Sequence, residues 1–239
     1  MRVQARELRP VVFQSGGRHP VQLEGILHLP ERIGACPAAL VCHPHPLGGG
    51  SMHNAVVAAI AHALEAQGVT ALRFNFRGVG QSGGEHDNGR GEIADVAGAL
   101  DWLAARPEVD PERVSLAGYS FGAWVGLAFA QRDPRVKAAA AVGLVAWHYS
   151  GTFYRTQARP DLGVEPWQYD PQFLCSFTRP VLFISGECDP LSPPDEVRQL
   201  IDRIPAPKRL SVVAGATHSL SGREQQVGKL VASFLVSPE

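Results

Sequence analysis

The chain has little sulfur, no surplus of either charge and no long hydrophobic run, and each shortage excludes a class of function. Four cysteines stand in 239 residues, at Cys36, Cys42, Cys175 and Cys188 with no CxxC spacing, so neither a zinc knuckle nor a disulfide-dense scaffold is indicated and a reducing compartment fits. Lys plus Arg number 22 against 23 Asp plus Glu, a net charge of −1. With no run of like charge, neither nucleic acid nor an anionic membrane surface is an expected partner. The longest small-apolar stretch, Ala138 to Trp147, is far short of the ~20 residues a membrane span needs, and the opening MRVQARELRP lacks the apolar centre of a signal peptide. The expectation is a cytoplasmic protein. A chain of this length buries about three quarters of its unfolded surface without metal or disulfide support, and it is read as one domain over residues 1–239.

Short apolar runs alternate with longer helical patterns, which predicts an α/β fold: a mostly parallel central sheet of about eight strands with helices on both faces. Strands are expected near 10–15, 21–29, 38–42, 70–76, 113–118, 136–142, 180–185 and 208–214. Helices are expected near 51–67, 91–105, 121–131, 194–204 and 223–235. The stretch 143–179 breaks this rhythm with Trp147, Tyr149, Phe153, Tyr154, Trp167, Tyr169, Phe173 and Phe177 among Gly, Pro and polar residues. A structureless loop of that length is uncommon in a compact chain, so a short lid-like or side-wall insertion is expected. Its aromatics either anchor the excursion to the body or meet the substrate.

Gly-x-Ser-x-Gly sets a serine on a sharp strand-to-helix turn and leaves its hydroxyl exposed. The pattern occurs twice, at Gly118-Tyr119-Ser120-Phe121-Gly122 and at Gly80-Gln81-Ser82-Gly83-Gly84. Context separates the copies: Ser120 follows a small-residue strand and precedes an apolar helical run, whereas Ser82 lies in a glycine-rich loop. A serine hydroxyl needs a base within hydrogen-bond reach, and the base needs a group that fixes its tautomer. His218 and Asp189 each fall just past the end of an expected strand, the edge where open α/β sheets place their sites. Glu187 is the competing acid. Charge developing on a substrate carbonyl oxygen calls for backbone N–H donors. Phe121 supplies one, and the loop His43-Pro44-His45-Pro46-Leu47-Gly48 the other, with Leu47 ahead of Gly48 because prolines have no N–H.

With these residues in place, the chain resembles the α/β-hydrolase superfamily. His43-Pro-His-Pro-Leu-Gly-Gly-Gly-Ser-Met-His-Asn54, Arg73-Phe-Asn-Phe-Arg-Gly-Val-Gly-Gln-Ser82, Gly118-Tyr-Ser-Phe-Gly122 and Gly186-Glu-Cys-Asp189 together are similar to small bacterial serine hydrolases of the dienelactone-hydrolase-like or esterase type. The resemblance implies a triad of Ser120, Asp189 and His218, with the Leu47 and Phe121 amides as oxyanion donors. The expected reaction is cleavage of a small-molecule carboxylic ester, of short-chain or aryl acyl type, through an acyl-enzyme, with no cofactor and no metal. Trp147, Tyr149, Phe153, Tyr154 and Trp167 are the expected substrate-binding side chains, and a monomer and a homodimer are both compatible.

Thioester, lactone and acyl-transfer chemistry use the same constellation and remain alternatives, as does a non-catalytic binding module on the same fold. A zinc site at His43, His45 and His53 is the metal rival, weakened by Pro44 and Pro46 and by the lack of an adjacent carboxylate. His43 is expected instead to cap the strand end and bond neighbouring backbone.

Overall fold

The structure is a computed structural model that describes residues 7–31, 34–145 and 171–238. Its centre is one eight-stranded sheet in the order β1-β2-β4-β3-β5-β6-β7-β8, formed by Glu7–Gln14, Gln22–Leu29, Cys36–Cys42, Thr70–Phe74, Val109–Tyr119, Val136–Val142, Val181–Gly186 and Lys208–Val213. Only β2 runs against the rest, pairing antiparallel with both β1 and β4, while the pairs from β4 to β8 are parallel.

Period-two alternation explains why the strands divide two cores. Along β3, Ala38, Leu40 and Cys42 enter one hydrophobic cluster while Ala39 and Val41 enter the other. The first cluster is covered by α2 (Arg90–Ala104), α3 (Phe121–Arg132) and α4 (Pro194–Ile201), and the second by α1 (Ala55–Ala66) and α5 (Glu224–Val236). Strands buried on both faces read as near-continuous apolar runs, as in VLFISG of β7, whose residues are all buried. Because β3 leads by way of α1 to one neighbour, β4, and β5 lies on its other side, chain direction reverses there and leaves a crevice past the carboxyl ends of β3 and β5.

The boundaries depart from expectation in explicable ways. β5 begins at Val109, which pairs with Cys36 ahead of a register shift, although Asp110-Pro111-Glu112 reads as a turn. α1 starts at Ala55 because Asn54 caps it, its Oδ1 accepting from the Val56 and Val57 amides at 2.9 and 3.4 Å. Within the 143–179 stretch, a 3₁₀ turn at Pro171–Ser176 packs Leu174 into the first core, and Phe177 is fully buried there. Trp147, Tyr149, Phe153, Tyr154, Trp167 and Tyr169 lie outside the described residues.

Among the described residues no helix is long and apolar enough to cross a membrane. All four cysteines are free, Cys36 and Cys42 buried and Cys175 and Cys188 exposed.

α1 and α5 pack closely because Gly228 has no side chain: a Cβ there would lie 2.5 Å from the Ala59 carbonyl oxygen. Gly228→Ala is expected to destabilise the fold by about 1–3 kcal/mol through forced separation of the helices. Urea unfolding followed by circular dichroism measures this, and an unchanged midpoint would refute the packing argument.

Candidate active site

The site is built on a strained serine. Ser120 follows β5 with φ 53° and ψ −114°, a backbone region that costs about 1–3 kcal/mol for a side-chain-bearing residue. The two motif glycines make the turn sterically feasible. A Cβ on Gly118 would lie 2.2 Å from the Gly122 carbonyl oxygen, and one on Gly122 2.5 Å from the carbonyl oxygens of Cys42 and His43. The Ser120 amide donates to the Val142 carbonyl at 2.8 Å, which pins the turn to β6, and the residue is 7% exposed.

His218 and Asp189 arrive from the ends of β8 and β7. His218 Nε2 lies 3.0 Å from Ser120 Oγ, and His218 Nδ1 lies 2.8 Å from Asp189 Oδ2. The other Asp189 oxygen accepts the Leu191 and Ser192 amides at 2.8 and 3.0 Å, so the buried carboxylate is oriented from both sides. These contacts set the roles: Asp189 accepts at Nδ1–H, and Nε2 is left to accept from the serine hydroxyl. Glu187, the competing acid, instead accepts the Gly215 amide at 2.8 Å in an exposed turn and braces the loop that carries His218.

Ser82 is placed elsewhere. Its hydroxyl donates to the Asn75 carbonyl at 2.8 Å and accepts from the Glu24 amide at 3.1 Å, so it staples a loop to β2. The rest of that motif is scaffold too. Asn75 accepts from the Met52 amide and donates to Glu24, each at 2.7 Å, Arg73 donates to the Met52 carbonyl at 2.7 Å, and Arg77 pairs with buried Asp95 at 2.8 Å. The connection between β3 and α1 is thereby hung from β4.

That connection corrects one expectation. The Leu47 amide donates to His45 Nδ1 at 3.2 Å, while the Gly48 and Gly50 amides bond the His45 carbonyl and Gly49 the Pro46 carbonyl, each at 3.0 Å. Pro46 opens a 3₁₀ turn capped by His45, which turns these amides onto the loop itself, and Leu47 is 62% exposed. Phe121, in contrast, contributes the first N–H of α3, which no intrahelical carbonyl can satisfy.

His43 behaves as expected: Nε2 accepts from the Phe76 amide at 3.0 Å and Nδ1 donates to the Pro44 carbonyl at 2.6 Å. With both nitrogens engaged it has no lone pair left for a metal.

A different trio, His28, His62 and Glu65, brings its donor atoms within 4.8 Å of one another. There Arg73 Nε donates to His28 Nε2 at 2.9 Å, which puts the ring proton on Nδ1, the atom that would have to face an ion. The trio is better described as polar packing of α1 on β2, with His28 and Glu65 buried and His62 exposed at its rim.

Beside Ser120 and His218 opens a cavity of about 380 Å³ lined by Pro44, His45, Gly48, Asn54, Tyr119, Val145, Leu191 and Ser219. Among the described lining residues none is Asp, Glu, Lys or Arg, which favours an uncharged group.

Two outcomes follow from this packing. Ser82→Ala is expected to lower stability by about 1–3 kcal/mol through two lost hydrogen bonds, measured by thermal denaturation; a loss of turnover without a loss of stability would contradict the staple. His28, His43 and His45 are each lowered from 6.5 to about 4, chiefly by burial. The unfolded chain therefore takes up protons below pH 6.5 that the folded chain refuses, so stability is full above that pH and declines toward about 4. Urea midpoints should stay level from pH 7.5 to about 6.5 and fall from there to pH 5, and a flat series throughout would show that these rings are not buried neutral.

A family model described as X-Pro dipeptidyl-peptidase (S15 family) matches residues 17–183. The chain is 32% identical over 208 residues to an uncharacterized protein of Rickettsia prowazekii, covering 84% of this chain and 79% of that one. A thiohydrolase of Arthrinium phaeospermum is 40% identical over 86 residues, 35% of this chain and 28% of its own length. Among solved structures, an alpha-beta serine hydrolase homologue from Coxiella burnetii superposes with TM-score 0.75 at 29% identity, covering 98% of each chain. A serine hydrolase without lid from Xanthomonas campestris gives 0.74 at 27% identity, covering 98% of this chain and 95% of that one. Since the family match spans most of the sheet from β2 to β7, the chain belongs to the S15 family, within the α/β-hydrolase superfamily.

Proposed function

We propose that the protein is a serine hydrolase that cleaves uncharged carboxylic esters of short-chain or aryl acyl type. The observation that carries this reading is the unbroken hydrogen-bonded chain from Asp189 through His218 to Ser120 beside a cavity whose described lining holds no Asp, Glu, Lys or Arg. His218 takes the Ser120 proton as Oγ attacks the ester carbonyl, and Asp189 holds the imidazole and stabilises the imidazolium. The Phe121 amide, with the N-terminal end of α3 behind it, stabilises the oxyanion. His218 then delivers its proton to the departing alkoxide, and water, activated by the same ring, releases the acid and restores Ser120. A peptide bond is the harder substrate for this chemistry, because its amine departs only once protonated.

The similarity to a thiohydrolase favours thioesters as the second reading, since the same serine can attack them and a thiolate leaves more readily than an alkoxide.

The test is turnover on p-nitrophenyl esters from acetate to octanoate, with matched thioesters, for the wild type, Ser120→Ala and Ser82→Ala. Ser120→Ala is expected to lose roughly three orders of magnitude or more in kcat, and Ser82→Ala to retain turnover at temperatures where it is folded. Full activity in Ser120→Ala would overturn the assignment, and kcat/KM higher on every thioester than on its matched ester would move the substrate class to thioesters.

A further inference from the structure

The Ser120 and His218 side chains belong to segments 98 residues apart, and the separation of their reacting atoms depends on how the His218 loop is held. One side chain spans that gap. Tyr119, the residue before the nucleophile, sends its hydroxyl to the His218 main-chain carbonyl, donating at 2.7 Å, and its ring lies 5.9 Å from the imidazole at 34°. The phenol is 5% exposed and is pushed up to about 12 by burial and then by the Asp189 charge, so it stays a donor throughout the neutral range. Gly143 closes the other side. It has φ +55°, and a Cβ there would lie 3.2 Å from His218 Cε1 and 3.3 Å from Tyr119 Cε2, while its amide is tied to the Ile184 carbonyl at 2.7 Å.

We propose that Tyr119 is a positioning residue for the base: its hydroxyl fixes the His218 backbone to the residue covalently joined to the nucleophile, so that nucleophile and base move as one body. This rests on the serine-hydrolase reading above and assigns Tyr119 no contact with the reacting atoms. The geometry makes the bond a lever. The carbonyl it holds is His218's own, joined to the imidazole through the same Cα, and small misplacements of reacting groups cost about 10²-fold per ångström. A packing role alone would be kept by phenylalanine, which fills the same volume and lacks only the oxygen.

The experiment compares wild type, Tyr119→Phe, His218→Ala and the double variant. Each is read by ester turnover, by the rate of Ser120 labelling with a fluorophosphonate, and by thermal denaturation. Tyr119→Phe is expected to lower kcat and the labelling rate about ten-fold or more with KM within about two-fold of wild type. In the His218→Ala background the same substitution is expected to cost nothing further, because a residue that acts only through His218 has nothing left to position. Wild-type kcat in Tyr119→Phe overturns the inference. So does an equal further loss in the His218→Ala background, which would mark a role independent of the base. The serine-hydrolase reading fails separately, and visibly, if the fluorophosphonate labels Ser120→Ala as it labels the wild type.

Discussion

A single strained residue organises the molecule: Ser120 holds a left-handed backbone turn between β5 and α3 that no relaxed chain would adopt. Its cost, about 1–3 kcal/mol, is offset by the sheet and helix it joins, since β5 lies between β3 and β6 and α3 is buried along nearly its whole length. Gly118 and Gly122 are there because their neighbours' carbonyls occupy the space that a Cβ would need. The turn also aims α3's unsatisfied amides at the point where Oγ would react. Strain, helix direction and chemistry are thus set by the same few atoms.

The second organising feature is the connection between β3 and α1, hung from β4. Arg73 and Asn75 hold Met52 by its carbonyl and its amide, His43 bridges Phe76 and Pro44, and Ser82 fastens the following loop to β2. These buried polar groups are hydrogen-bonded, as such groups must be. Their arrangement explains how a glycine-rich loop can border a site without lining it with mobile backbone.

Much of the fold is legible in the sequence because both faces of the inner sheet are covered, so strands such as β3, β4, β6 and β7 appear as apolar runs between helical patterns. Pairing is what hides the start of β5: Asp110-Pro111-Glu112 carries a turn signature, and only the partner Cys36 makes Val109 a strand residue. The serine is legible through its strand-and-helix context, which the Ser82 copy lacks. The preference for Asp189 over Glu187 rests in the structure on which carboxylate reaches His218, a distance no spacing rule supplies. Leu47 shows the limit of such reasoning. An exclusion of prolines singles out its amide, but the neighbouring His45 imidazole accepts that amide's hydrogen bond. Tyr119 was open to view inside its own motif; what the sequence does not carry is that its hydroxyl meets a carbonyl 99 positions on.

The parallel order of the last strands has a consequence for how the protein is made. Among the described residues β8 pairs only with β7 and forms the sheet's far edge, and it leads directly into the turn that bears His218. During synthesis from the N-terminus, Ser120 and its elbow emerge about a hundred residues ahead of the imidazole, and long-range parallel pairing is slow to form. On the proposed reading of Ser120 as the nucleophile, a nascent chain holds a serine with no proton acceptor until β8 docks.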